Sequence, residues 1–143
     1  MNIKQALKEK NKLVKRNSEL FQKFDNYNSV EAESLRPYDP KESLENWLKG
    51  INELATLKAA IHKANIEVYE KIFRLSELKS AVSLLRRVDC KEGKHSASRM
   101  SDRVVIYDSA VTLVERDNLI ENLEREIESI QEELDNHNSR QTI

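Results

Sequence analysis

Three histidines, one cysteine and many carboxylates are the side chains here that could do chemistry. His62, His95 and His137 lie far apart in the chain, and no pair has the four-residue spacing that lets two helical imidazoles share a metal. His95 follows Cys90 by five residues, so the two could supply two ligands, too few for a structural zinc site. His137 falls near the expected end of the last helix, where the helix dipole favours its charged form. Glu124 and Glu128 stand one helical turn apart and could share an ion. A carboxylate di-metal bundle also needs inward Glu-x-x-His pairs, and the sequence has none. There is no phosphate-binding P-loop, dinucleotide fingerprint or G-x-S-x-G elbow. Cys90 has no base assigned to it by spacing. The expectation is a protein that is not an enzyme, with no catalytic, cofactor-binding or metal-ligating residue.

Charge is distributed more tellingly than its net value of -1. The first helical stretch is basic, with Lys4, Lys8, Lys10, Lys12, Lys15, Arg16 and Lys23. The last is acidic, with Glu115, Asp117, Glu121, Glu124, Glu126, Glu128, Glu132, Glu133 and Asp135. Opposite-charge pairing of helices, within the chain or across an interface, explains this. Arg86, Arg87, Lys91, Lys94, Arg99 and Arg103 gather around one loop without interleaved aromatics. That pattern allows weak, salt-sensitive phosphate contact, so no specific nucleic acid is expected as a partner.

The elements that position these residues are helices. Two glycines and two prolines in 143 residues leave little punctuation for sheet, and 34% charged residues suit long amphipathic helices. A first helix is expected over about 3–27, with one wide stripe of Ile3, Ala6, Leu7, Leu13, Val14, Leu20, Phe21 and Phe24. Asn17 interrupts the stripe; a buried polar residue there could set register, but an edge position facing water is the expectation. Residues 25–39 read as a connection. Asp39, Pro40 and Glu42 announce a second helix over about 40–65, with Leu44, Trp47, Leu48, Ile51, Leu54, Leu57, Ile61 and Ala64 as its stripe. Gly50 costs that helix about 1 kcal/mol relative to alanine, and suggests close approach by a neighbouring backbone.

A break is placed at 65–69, followed by a third helix over about 70–88 with Ile72, Leu75, Leu78, Val82 and Leu85 inward. Residues 89–102 read as a polar, mobile connection. Arg103–Tyr107 is the only β-like run; with no convincing second strand in the chain, it must find a partner, from a second copy if need be. A fourth helix over about 113–137 follows the Thr112/Glu115 capping spacing and ends near Asn136–Asn138. Its apolar steps from Ile120 through Leu123, Ile127 and Ile130 to Leu134 alternate three and four, the seam of a helix that packs on helices.

The run AVTLVERDNLIENLEREIESIQEELDNHN resembles the C-terminal helix of a family of small bacterial helical proteins, some labelled septicolysin. Val111, Thr112 and Leu113 occupy the family's helix start, a valine, an acidic cap and a valine, and Asn138 its terminal asparagine, while Ser139 replaces the usual tryptophan. Asp39-Pro40, Ile61 with Asn65, and Leu84-Leu85-Arg86 are also similar. The resemblance implies a pore-forming or membrane-active protein and carries no catalytic residues.

The residues themselves point to one all-α domain over 1–143. It is an antiparallel bundle of three to four long helices with coiled-coil-like packing, plus a short β strand or hairpin before the last. No apolar run reaches the ~18 residues of a membrane span. The opening residues lack an apolar core of signal-peptide length, and a lone cysteine fits a reducing cytoplasm. Function is expected to be that of a cytoplasmic homo-oligomer acting through protein contacts, with an unspecified protein partner. Its interface is expected at Val104, Ile106, Ile120, Leu123, Ile127, Ile130 and Leu134. The alternatives are the membrane activity the resemblance implies and weak nucleic-acid association.

Overall fold

The computed structural model describes residues 1–97 and 102–143. In chain order it has α1 (Ile3–Tyr27), α2 (Pro40–Ala64), a short 3₁₀ turn (Ile66–Val68), α3 (Tyr69–Leu85), β1 (Gly93–Ser96), β2 (Val104–Tyr107) and α4 (Leu113–Arg140). The chain is mostly helical, with a small antiparallel hairpin before the last helix. Its contacts divide it into two compact units, Met1–Val68 with Asp135–Ile143, and Tyr69–Leu134.

In the first unit, α1 starts at a reciprocal cap. The Asn2 side chain accepts from Gln5 N at 2.8 Å, and the Gln5 side chain accepts from Asn2 N at 3.0 Å. α2 starts with Pro40 at its first position and the Asp39 carboxylate accepting from Lys41 N at 3.0 Å. It stops at Asn65, whose N–H reaches back to Ile61 O and His62 O, both at 3.1 Å. α1 and α2 are antiparallel: Arg16 meets Glu53 at 2.7 Å, and Phe21 meets Trp47 at 5.0 Å between ring centroids. The less exposed residues recur in alternating steps of three and four. On α1 they include Ile3, Ala6, Leu13, Asn17 and Leu20, and on α2 Ser43, Trp47, Gly50, Leu54, Leu57 and Ile61. The C-terminal tail closes this unit. Gln141 O accepts from Ile3 N at 3.0 Å, and Met1 O accepts from Ile143 N at 3.1 Å.

Two readings change here. Asn17 does not face water: it is buried, and neither atom of its amide has a hydrogen-bond partner among the described residues. What approaches Gly50 is that side chain and not a backbone, since a Cβ on Gly50 would lie 2.0 Å from Asn17 Oδ1. The wide stripes also divide. Leu13 and Ile61 are buried, whereas Val14, Phe21, Leu48 and Ile51 remain 40–50% exposed. A single partner helix covers a narrow seam, and residues one step outside it stay in water.

In the second unit, α3 and α4 are antiparallel. Lys71 pairs with Glu133 at 2.7 Å, and Arg74 with Glu126 and Arg86 with Glu124 make two further ion pairs. The acidic charge of α4 therefore meets cations of α3. Leu75, Val82, Ile120, Ile130 and Leu134 are buried. The Thr112 hydroxyl accepts from Glu115 N at 3.2 Å, as their spacing suggests. α4 runs on past Asn136–Asn138 to Arg140, the Ser139 hydroxyl donating to Asp135 O at 2.9 Å. The strand expected at 103–107 is present, as one half of a hairpin before the last helix. β2 finds its partner locally, within the polar connection, with Gly93 opposite Tyr107, Lys94 opposite Ile106, His95 opposite Val105 and Ser96 opposite Val104. The residues GKHS carry no strand signal of their own; the ladder to VVIY makes them a strand. Gly93 sits at φ +77°, a conformation that other residues adopt only at a cost.

Candidate functional site

The chemistry-bearing side chains settle into separate places. His95 lies on β1, its Nε2 2.8 Å from Glu92 O and its ring edge-on to Tyr107. His137 Nε2 lies 3.1 Å from Ala64 O, at the end of α2. Cys90 is half-buried, its Sγ 3.8 Å from Val88 O. Among the described residues no three His, Cys, Asp or Glu side chains come together as metal ligands would. Near the hairpin, Ser109 Oγ donates to Glu92 Oε1 at 2.5 Å, a close hydroxyl–carboxylate contact. His95 turns to the Glu92 backbone instead, so this contact lacks the imidazole base of a serine nucleophile and ties the two ends of the hairpin.

Beside it, the Arg116 guanidinium donates to Val88 O at 2.9 Å and to Asp117 Oδ1, joining the end of α3 to the start of α4. The hydrogen bond to Asp117 raises the Arg116 pKa above its usual value. The basic cluster around the loop is partly spent on such contacts. Arg86 is held by Glu124, and Lys91 lies 3.6 Å from Asp89 with its ammonium 5.5 Å from the centroid of the Tyr107 ring. Arg103 also has a partner, and Arg99 lies outside the described residues. No helix among the described residues is long and apolar enough to cross a membrane.

The residues expected at an interface fall into two groups. Ile120, Ile130 and Leu134 are buried within their own chain, with Leu123 and Ile127 half-buried. Val104 and Ile106 are 57% and 68% exposed, on the same face of β2. The α4 seam is thus mostly core, and the apolar surface left open includes Val14 and Phe21 on α1, Leu48 and Ile51 on α2, Phe73 and Leu84 on α3, and Val114 and Leu119 on α4 outside the seam. The sequence holds the signal for this in the width of its stripes, since two antiparallel seams bury only two positions in seven. The chain matches no family model, no curated protein and no solved structure.

Proposed function

We propose that this chain is a non-enzymatic helical module that assembles with copies of itself and acts through protein contacts. The observation that supports this reading is its exposed area of 11115 Å². A compact monomer of its mass exposes about 7,600 Å². Even two separate globular bodies, each of about half the chain, would together expose only about 9,200 Å². The excess of roughly 1,900 Å² is more than the ~800 Å² that each partner contributes to a stable interface. A two-helix pair and a two-stranded hairpin each leave apolar flanks in water, and association removes them. The lone half-buried thiol of Cys90 suits a reducing cytoplasm. In this reading each antiparallel helix pair is coiled-coil-like, and the assembly completes a bundle.

Sedimentation equilibrium of the untagged chain from about 1 to 100 μM tests this, since any dissociation constant below about 100 μM gives assembly within that range. Assembly is expected within it. A chain that stays monomeric throughout, with full helical circular dichroism, refutes the reading.

A further inference from the structure

The α1–α2 pair has two unlike sides. Arg16 and Glu53 precede the seam residues Asn17 and Leu54, and their ion pair marks one side as charged. Leu7, Val14 and Phe21 follow the seam positions Ala6, Leu13 and Leu20, so they flank the seam on the opposite side. Leu44 and Ile51 follow Ser43 and Gly50 on α2 and share that side, with Leu48 beyond them. Val14, Phe21, Leu48 and Ile51 are each 40–50% exposed there. A contiguous apolar flank of this kind marks an interaction surface.

We infer that this flank is the self-association surface and that a second copy covers it about a two-fold axis near Val14, α1 against α1 in antiparallel sense. The inference rests on the self-assembly reading above. The pattern along α1 is what points to a second copy. Phe21 lies seven residues to one side of Val14 and Leu7 seven to the other, about 10 Å each way at the helical rise. Asp25 lies eleven residues to one side and Lys4 ten to the other, about 15–16 Å. Both are exposed and on the flank side of α1. Reversing the helix about Val14 superposes apolar on apolar and sets each Asp25 against the partner's Lys4. A closed two-fold interface requires this self-complementarity. Lys41 shares the Asp25 end on α2, so the charge match is carried by α1.

Val14→Glu places like charges across the axis in both copies. It should weaken self-association at least ten-fold in sedimentation equilibrium, with far-UV circular dichroism unchanged. Asn46→Glu, on the charged side, should leave association as in the wild type. Asp25→Lys should weaken association at low salt, and adding Lys4→Asp should restore it. In a Cys90→Ser background, Val14→Cys should give a disulfide-linked dimer under mild oxidation, and Asn46→Cys should not. A wild-type chain that never assembles overturns both the general reading and this surface. If the wild type assembles and Val14→Glu assembles equally well, the surface alone is overturned. If Val14→Glu fails to fold, the cross-link decides. An absent Val14→Cys dimer overturns the two-fold whatever the charged variants do.

Discussion

Gly50→Ala should destabilise the protein although alanine is the better helix former. In the interior of α2 the exchange favours alanine by about 1 kcal/mol on propensity alone. Against this stands Asn17. The new methyl would lie 2.0 Å from Asn17 Oδ1, 2.7 Å from Cγ and 3.0 Å from Nδ2. All three distances are below van der Waals contact, and the amide is buried, so it must leave its rotamer or push the helices apart. Overpacking of this kind costs about 1–3 kcal/mol, which leaves a net loss of about 1 kcal/mol. Asn17→Ala removes the obstruction together with an amide that has no hydrogen-bond partner among the described residues, and should be neutral or stabilising. In that background Gly50→Ala should change sign and stabilise by about 1 kcal/mol, giving a coupling of about 2 kcal/mol between the two sites. Urea unfolding of the four proteins at one fixed concentration, followed by circular dichroism, measures the cycle. If Gly50→Ala stabilises the wild type as much as it stabilises Asn17→Ala, the Asn17 side chain does not fill the gap above Gly50.

Ile130→Ala should cost about 2–5 kcal/mol because the side chain is buried within its own chain, and Ile127→Ala less than half of that because its site is half open; equal losses in thermal melts would contradict this packing. Val105→Pro should break the ladder opposite His95 and speed limited proteolysis between Cys90 and Asp108. The helical melting midpoint should hold, and a matching drop in it would tie the hairpin to the core. Arg116→Gln should accelerate amide hydrogen exchange at 86–88, where the guanidinium now holds Val88 O; unchanged exchange there would make that tie irrelevant.

Much of the helical framework is legible in the residues because its signals are local. Asp39 followed by Pro40 fixes the start of α2, and Thr112 with Glu115 marks the start of α4. What escapes is decided by partners. Gly93–Ser96 has no β-branched residue and becomes a strand only opposite Val104–Tyr107. Asn17 is a polar residue at a buried spacing, and its burial depends on Gly50, which is 33 residues away in sequence. Asn2 caps α1 through Gln5, a pair readable from its spacing that only the structure makes definite. The candidate surface was hidden for a related reason. Val14 and Leu13 are adjacent, both apolar, and both fit a broad helical stripe; the width of the neighbouring helix decides which is covered.

That same narrowness explains why the Asn17–Gly50 contact matters to register. A seam of alternating three and four steps repeats every seven residues, so α1 could slide along α2 by one heptad and still match apolar to apolar. Such a slide would carry Asn17 from Gly50 to Ser43 in one direction and to Leu57 in the other. Against Leu57 the amide would meet a large side chain that fills the seam. Against Ser43 it would lose the gap that Gly50 leaves, and the Arg16–Glu53 ion pair would be broken in either case. A buried polar residue facing the seam's one glycine therefore selects one alignment out of several that are similar in apolar burial. The selection costs stability, since the amide has no partner among the described residues, and it fixes which residues of α1 stand level with which of α2. With Asn17 over Gly50, Val14 and Ile51 stand within one turn of each other on the open side, a closeness that a heptad slide would break, so the register device also sets the layout of the surface proposed for the second copy.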